Sequence, residues 1–272
     1  MQLSDYHVHS SFSTDSTTPP EEVVKAAINE QITNLCFTDH MDLMYPEDES
    51  LFVFDTNRYF NTMVNLQEKY KSEINLFIGM ELGLRNEPDV FSAIKEKCDA
   101  LSKEPFDFII GSTHIYDYAD PYYKKFWEGK DAFTRILEYY EATLFNVTNY
   151  DCYDVYGHLD YVIRYMPESH HYEQSQYMEL IEAILKTIIS KGKGIEINTS
   201  SLNKGFNAPN PNPSIIKLYK ELGGKIITLG SDAHSPENLC THFDTAIDIL
   251  KAAGFDSHTI FKKRKPQYIP LD

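Results

Sequence analysis

The sequence predicts an α/β barrel of parallel strands joined by helical crossovers. Short apolar runs alternate with longer amphipathic stretches, which is the pattern of repeated strand–helix units. The chain has 272 residues, a length that suits one closed barrel or two smaller domains. Polar residues follow each apolar run, where barrel enzymes build their sites. We therefore predict one domain spanning residues 1–272.

Seven apolar runs have the length and the flanking residues of buried strands. They span residues 3–8, 34–38, 74–80, 106–110, 153–156, 194–197 and 225–229. The stretches between them predict six helices. These span residues 20–30, 55–70, 90–101, 132–145, 173–191 and 213–222. The first begins with prolines followed by acidic residues, a strong helix start signal.

The charge balance disfavours a nucleic-acid-binding protein. The chain carries 25 basic and 41 acidic residues, a formal net charge of -16, which opposes a wide surface for a phosphate backbone. The one basic run, residues 262–265, is more typical of a solvated tail or the last turn of a helix.

The four cysteines and the hydropathy predict a reduced, cytoplasmic protein without a membrane partner. Cys36, Cys98, Cys152 and Cys240 are far apart, with no Cys-x-x-Cys spacing, so we expect buried thiols. The chain shows neither a signal-peptide pattern nor an apolar window of membrane-spanning length. The oligomeric state is left open.

Histidines and carboxylates concentrate at the predicted strand ends. The first strand carries "HVHS", in which the alternate residues His7 and His9 would point to one face and could bind one metal ion. Nine such side chains follow this pattern: His7, His9, Asp15, His40, Glu81, His114, His158, Asp232 and His234. Converging on one face, they would be unfavourable without cations, so we predict a metal site. His170, His171, His242 and His258 lie elsewhere and are expected at the surface or in packing.

The ordered motifs "HVHS", "TDH", "GMELG", "GSTH", "GHLD" and "GSDAH" resemble those of the polymerase and histidinol phosphatase (PHP) superfamily. The resemblance runs from His7 to His234. It implies a distorted seven-stranded barrel with a trinuclear metal site at the carboxyl ends of the strands.

The resemblance also implies a ligand set for each of three divalent ions. His7, His9, Glu81 and Asp232 would bind the first metal, and Glu81 would bridge to the second. His114 and His158 would complete the second site, and the third would be held by Asp15, His40 and His234. Imidazole and carboxylate ligands without thiolate suit Zn²⁺, Mn²⁺ or Fe²⁺, and the sequence does not choose among them.

Within the superfamily, the length and the pair "GIEINTSSLNKG" and "GSDAH" look most like histidinol-phosphate phosphatases. That branch hydrolyses L-histidinol phosphate to L-histidinol and phosphate. Where its pattern leads us to expect Gly-Leu-Arg, this chain has Ser201-Leu202-Asn203-Lys204. Either Lys204 takes over the cationic role or the phosphate is held differently.

A mechanism follows from this site. Metals lower the pKa of bound water to about 7, so we predict in-line attack of metal-bound hydroxide on phosphorus. Asp232 or His234 would assist the leaving group. Arg164 is a candidate for a bidentate phosphate contact, with a surface ion pair as the alternative, and Lys204 is a second candidate. We expect an acidic loop residue to recognise the amino group of the substrate.

Two further groups of residues have a functional and a structural interpretation. Asp39, Asp117 and Asp160 either orient nearby histidines by hydrogen bonds or are exposed loop acids. The aromatic residues of loop 116–127 either cover the site or pack the loop on the barrel rim, and packing is the more frequent outcome.

Three other functions stay open at this point. A PHP-type phosphodiesterase or phosphomonoesterase acting on another small phosphate ester would share the metals. A non-catalytic metal-binding module would be expected to lose ligands such as Asp15, Glu81 or Asp232, which are all present. An amidohydrolase would be expected to carry a carbamylated-lysine pattern, which these strand ends lack.

Overall fold

The computed structural model describes residues 2–271 and contains a parallel sheet that is nearly closed as a barrel. Its hydrogen-bonded order is β1-β2-β4-β5-β6-β7-β8, and a short β3 also pairs with β4. The strands are β1 (Ser4–Val8), β2 (Asn34–Phe37), β3 (His40–Met41), β4 (Asn75–Gly83), β5 (Phe108–Ser112), β6 (Val155–Tyr156), β7 (Gly194–Asn198) and β8 (Ile227–Gly230). The predicted α/β barrel and its seven main strands are confirmed.

The barrel closes between β1 and the segment that follows β8. The backbone N–H of Asp232 donates to the carbonyl oxygen of His7 at 2.8 Å, and the N–H of His9 donates to that of Ala233 at 2.9 Å. Closure therefore places the first and last histidine motifs of the chain side by side.

Eight α-helices lie among the described residues. They are α1 (Pro20–Asn29), α2 (Thr56–Tyr70), α3 (Pro88–Leu101), α4 (Ala132–Asn149), α5 (Met178–Ser190), α6 (Ser200–Asn203), α7 (Pro213–Glu221) and α8 (Phe243–Ala252). The six predicted helices are present, although the fifth begins at Met178 after a 3₁₀ turn over Gln174–Tyr177. The short α6 and the amphipathic α8 were not predicted. None of the helices within residues 2–271 is long and apolar enough to cross a bilayer.

Capping residues and buried strands explain these elements. Asp55 and Asp131 accept hydrogen bonds from backbone N–H groups in the first turns of α2 and α4, at 2.7 and 3.0 Å. The strands from β5 to β8 are buried along their whole length, as parallel strands covered by helices should be. Ile184 and Ile188 of α5 are among the fully buried side chains of the main core.

The chain ends in an antiparallel hairpin of β9 (Ser257–Lys262) and β10 (Lys265–Pro270). The hydroxyl of Tyr6 donates to the carbonyl oxygen of Phe261 at 2.9 Å. Phe261 also belongs to a second buried apolar cluster, with Phe77 and Phe108 of the barrel. These barrel residues precede the site residues on their strands, so the hairpin packs toward the amino-terminal ends of the strands.

The basic run 262–265 is the turn of this hairpin, so the expectation of a solvated tail or a helical turn is wrong. Lys263 and Arg264 adopt left-handed conformations, with φ of 51° and 61°, which matches the strand twist in a two-residue hairpin turn. The guanidinium of Arg264 pairs with the carboxylate of Asp154. This ion pair holds the turn against the barrel, because Asp154 directly precedes β6.

The expectation of four reduced thiols is also wrong for one pair. Cys98 in α3 and Cys152 before β6 form a disulfide, with Cα atoms 5.2 Å apart. Cys36 and Cys240 are free. The two bonded cysteines are 54 residues apart in the chain, a spacing that carries no pairing signal.

Candidate metal centre

The nine histidines and acids predicted from the strand ends lie together at the carboxyl end of the barrel. We call them the histidine cluster: His7, His9, Asp15, His40, Glu81, His114, His158, Asp232 and His234. Donor atoms of its members form four groups of three in which all atoms lie within 4.8 Å of one another. The structure brings all nine side chains together, while their roles as metal ligands stay a prediction.

Glu81 of β4 is at the centre of the cluster. Its Oε1 lies 3.0 Å from Nε2 of His114 and 2.9 Å from Nε2 of His158. Its Oε2 lies 3.2 Å from Nε2 of His7 and 2.9 Å from Nδ1 of His40. A carboxylate with histidines on both oxygens has the geometry of a bridging ligand.

Asp232 and Asp15 extend the cluster in two directions. Oδ1 of Asp232 is 3.3 Å from Nε2 of His9 and 3.7 Å from Nε2 of His7. Oδ2 of Asp15 is 3.0 Å from Nε2 of His234 and 3.6 Å from Nε2 of His40. Asp232 has a left-handed backbone, with φ of 55°, which aspartate tolerates better than most residues.

The charges in the cluster stabilise one another. Burial by itself would raise the pKa of Glu81, but His7, His114 and His40 lower it well below its usual range. Burial lowers the pKa of His7, yet Glu196, Glu81 and Asp232 outweigh this effect and raise it. The pKa of His9 is lowered by burial and by His234 and His40. The site thus combines anionic carboxylates with at least one imidazole that burial keeps neutral.

Several buried ligand atoms of the cluster have no partner in hydrogen-bonding geometry among the described residues, although some lie close to one another. They are Nε2 of His7, His9 and His234, Nδ1 of His40 and Oε2 of Glu81. Burying such atoms unpaired is costly, and metal coordination compensates for it. Imidazole nitrogens and carboxylate oxygens are also the ligands that Zn²⁺, Mn²⁺ and Fe²⁺ accept. The donor set therefore fits divalent metal ions.

Four imidazoles are held by oxygen atoms behind the cluster. Nδ1 of His7 lies 2.6 Å from Glu196 Oε1, and Nδ1 of His114 lies 2.9 Å from Asp42 Oδ1. A carboxylate oxygen can only accept, so each Nδ1 carries the proton and Nε2 faces the cluster. Nδ1 of His234 bonds the carbonyl oxygen of Asp232 at 2.9 Å.

The fourth imidazole, that of His9, is held through a serine. Its Nδ1 is 3.1 Å from Ser13 Oγ, and that hydroxyl donates to Asp39 Oδ1 at 2.8 Å. Asp39 therefore orients His9 indirectly, through the hydroxyl of Ser13.

Two further acids that were not predicted from the sequence, Glu196 and Asp42, contact histidines of the cluster. Glu196 is fully buried in β7, and its Oε2 also accepts from the backbone N–H of His158 at 3.0 Å. An acidic residue inside the predicted strand 194–197 was the available signal, because a buried charge needs a partner. Asp42 offered a weaker signal, since it follows His40 by two residues.

Asp117 and Asp160 do not orient histidines. Asp117 forms an ion pair with Arg135 at 2.8 Å. Asp160 accepts from the backbone N–H of Asn212 at 2.9 Å and from the side-chain amide of Asn210. Asp117 is an exposed loop acid, the second of the two interpretations. Asp160 fits neither interpretation, because it is buried and supports the asparagine that holds Arg164.

A cleft opens beside the cluster, and both predicted phosphate contacts line it. The buried guanidinium of Arg164 donates to Asn210 Oδ1 at 2.6 Å and to Asn198 Oδ1 at 2.8 Å. Its Nη1 lies 3.4 Å from Asp232 Oδ2. Lys204, at the end of α6, lines the same cleft with its ammonium 5.8 Å from the ring centre of Tyr165. Arg164 is not a surface ion-pair partner, because it is buried and fixed beside the cluster.

Of the six aromatic residues in loop 116–127, three pack against the main core, namely Tyr116, Phe126 and Trp127, and three are exposed, namely Tyr118, Tyr122 and Tyr123. Phe126 is fully buried, and the indole N–H of Trp127 donates to the carbonyl oxygen of Pro121 at 2.9 Å. The loop residue that lines the cleft is Asp120, joined there by Tyr45 and Tyr161 from other segments. None of the six loop aromatics lines this cleft, and the packing interpretation holds for Tyr116, Phe126 and Trp127.

Comparisons with known proteins agree with this site. A model of the PHP domain family matches residues 5–200. A histidinol-phosphatase of Lactococcus lactis is 34% identical over 275 residues, covering 97% of this chain and 96% of that protein. A probable histidinol-phosphatase of Clostridium acetobutylicum is 31% identical over 268 residues, covering 97% and 98% of the two chains.

Among solved structures, the chain is similar to a Lactococcus lactis histidinol phosphate phosphatase complexed with zinc, L-histidinol and phosphate. The TM-score is 0.86 at 32% identity, and the match covers 98% of this chain and 99% of the other. Asp232 and His234 lie beyond the residues matched by the family model, yet barrel closure places them in the same cluster.

Proposed function

Since this chain belongs to the PHP domain family, we propose that it is a histidinol-phosphatase. It hydrolyses L-histidinol phosphate to L-histidinol and phosphate, a step of histidine biosynthesis. The observation that carries this function is the full-length similarity to histidinol-phosphatases, one of them solved with L-histidinol and phosphate. The resemblance predicted from the motifs is thereby confirmed.

The histidine cluster would hold three divalent ions. His7, His9, Glu81 and Asp232 would bind the first, and Glu81 would bridge to a second held by His114 and His158. Asp15, His40 and His234 would bind the third. The contacts of Glu81 on both oxygens support the bridge, and the zinc in the similar structure supports zinc among the three candidate metals.

Metals held by the histidine cluster would supply a bound water of lowered pKa and positive charge for the phosphoryl oxygens. The chain itself supplies the remaining functions. Arg164 is fixed by Asn198 and Asn210, so its guanidinium is presented in one orientation for bidentate contact with phosphate. Lys204 adds a second, mobile positive charge at the same cleft.

Asp232 and His234 are the candidates for assisting the leaving alkoxide. Oδ2 of Asp232 accepts from the hydroxyl of Ser200 at 3.0 Å and lies 3.4 Å from Nη1 of the cleft residue Arg164. Burial would raise the pKa of Asp232, but His7, His9 and His234 lower it well below its usual range. An anionic Asp232 would assist by passing to the alkoxide a proton taken from the attacking water, and Nε2 of His234 would donate only while it holds no metal.

Other parts of the proposal rest on the sequence. We place a single domain at residues 1–272 and expect the enzyme to act in the cytoplasm on a small phosphate ester. The formal charge of -16 supports the absence of nucleic-acid partners.

The direct test measures phosphate release after separate reconstitution with Zn²⁺, Mn²⁺ and Fe²⁺. L-histidinol phosphate is compared with sugar phosphates, nucleotides and a phosphodiester. We expect a clear preference for L-histidinol phosphate, lost in Glu81→Ala and kept in the control Glu179→Ala, whose side chain is exposed on α5. Equal or better turnover of another ester would overturn the substrate assignment while leaving a metal-dependent hydrolase.

A further inference from the structure

The cleft is lined by cationic and by anionic side chains. Arg164 and Lys204 line it beside Asp232 of the cluster. Asp120 lines it with the phenol groups of Tyr45 and Tyr161, and the ring centre of Tyr161 lies 5.5 Å from Cζ of Arg164. A ligand that contacts both Arg164 and Asp120 would carry a phosphate and a cationic group a short distance apart.

Asp120 differs from the other acids of the cleft in its contacts. Asp42 accepts from His114, Asp15 faces two histidines of the cluster, and Asp232 faces three. Asp120 has no cationic partner within 4.0 Å among the described residues, although only 8% of it is exposed. The side chains that contact Asp120 therefore leave its negative charge without a counter-charge.

The hydrogen bonds around Asp120 hold it in place without cancelling its charge. The backbone N–H of Tyr122 donates to Oδ1 at 2.8 Å, the hydroxyl of Tyr161 to Oδ1 at 3.4 Å, and that of Tyr45 to Oδ2 at 3.2 Å. Burial raises the pKa of Asp120 to about 6, so the carboxylate is anionic at neutral pH. A buried anion of this kind gains most from a bound cation.

The position of Asp120 relative to the cluster suits a short substrate. The ring of Tyr161 lies 5.0 Å from the ring of His158 and 5.6 Å from that of His114, while its hydroxyl reaches Asp120. One phenol side chain therefore spans from the cluster to the carboxylate. In L-histidinol phosphate the ammonium is on the carbon next to the one that bears the ester oxygen.

We propose that Asp120 is the specificity residue of the cleft and binds the ammonium group of the substrate, while Arg164 and the histidine cluster receive its phosphate. This inference rests on the proposed function. It assigns the recognition of the amino group to the one cleft carboxylate that pairs with neither a histidine nor an arginine among residues 2–271.

The test compares two esters in the metal-reconstituted enzyme: L-histidinol phosphate and 3-(imidazol-4-yl)propyl phosphate, which lacks the amine. We expect Asp120→Asn to lower kcat/KM for the amino ester by about 10- to 100-fold, mainly through KM, because a charged hydrogen bond is lost. The deaminated ester should change by less than about twofold on the same grounds. The control Asp117→Asn alters an acid of the same loop that pairs with Arg135 outside the cleft, and should change neither.

A binding measurement on the unaltered enzyme guards against a variant that does not fold. L-histidinol should inhibit competitively and more tightly than the alcohol without the amine, and equal inhibition would overturn the inference. A similar loss on both esters in Asp120→Asn would overturn it too. An unaltered enzyme that does not prefer L-histidinol phosphate in the substrate panel would instead contradict the proposed function, and the inference with it.

Discussion

Replacing Glu196 by glutamine should weaken metal binding without unfolding the barrel. Glu196 accepts on both carboxylate oxygens: from His7 Nδ1 at 2.6 Å on Oε1, and from the backbone N–H of His158 at 3.0 Å on Oε2. The side-chain amide of Asn198 also donates to Oε2 at 3.3 Å. Glutamine has the same shape but only one oxygen, so in either orientation its NH₂ group faces a donor.

The size of the effect follows from burial and from the role of His7. Both side chains are fully buried, and a buried donor left without an acceptor costs about 1–3 kcal/mol. Loss of the partner that orients a metal-ligating histidine typically lowers metal affinity or activity by about 10- to 100-fold. We expect zinc affinity and kcat/KM to fall by a factor in that range, because His7 would no longer present Nε2 in a fixed tautomer.

Zinc affinity should be measured by competition with a chromophoric chelator, alongside circular dichroism and thermal unfolding of the metal-free protein. Glu87→Gln is the matched control, since Glu87 is a buried carboxylate that pairs with Arg85 at 3.1 Å, away from the cluster. The control should lose stability but keep its zinc affinity. We expect zinc affinity to fall by at least about 10-fold in Glu196→Gln. A zinc affinity within about twofold of that of the unaltered protein would refute the reasoning.

Three other predictions concern the phosphate contact, a close backbone approach and pH. Arg164→Lys should raise KM and weaken inhibition by inorganic phosphate by about 10-fold, because lysine cannot reproduce the planar, multiply bonded guanidinium; unchanged phosphate inhibition would argue against the contact. A Cβ at Gly83 would overlap the carboxylate of Asp42 that holds His114, so Gly83→Ala should lower zinc affinity by about 10-fold in the same chelator assay. Burial lowers the pKa of His258 to about 4, whereas an unfolded histidine titrates near 6.5. Protonation of His258 should therefore cost about 3 kcal/mol as the pH falls from 6.5 to 4, so the unaltered protein should lose that much more stability than His258→Leu in urea unfolding at the two pH values.

Local patterns predicted most of the fold. The apolar runs predicted all seven main strands because a strand buried on both faces is apolar along its length. The predicted helix starts at residues 20 and 55 lie within one residue of the observed starts of α1 and α2. The hairpin of β9 and β10 was missed because its strands carry charged and polar residues, and its place is set by contacts such as that of Tyr6 with Phe261.

The sequence by itself determined which side chains meet at the candidate metal centre. Parallel strands in a barrel share one carboxyl end, so polar residues placed after successive strands converge whatever the details of packing. His7 and His234 are at opposite ends of the chain and still belong to one cluster.

Only the tertiary structure decided which groups orient these side chains and which acid is left for a ligand. Glu196 and His7 are 189 residues apart, and Cys98 and Cys152 are paired with no signal in their spacing. Asp117 and Asp120 lie three residues apart in one loop, yet the first pairs with Arg135 and the second faces the cleft. Hydrogen bonds and ion pairs between distant segments depend on barrel closure, loop path and side-chain rotamers, which no local periodicity encodes.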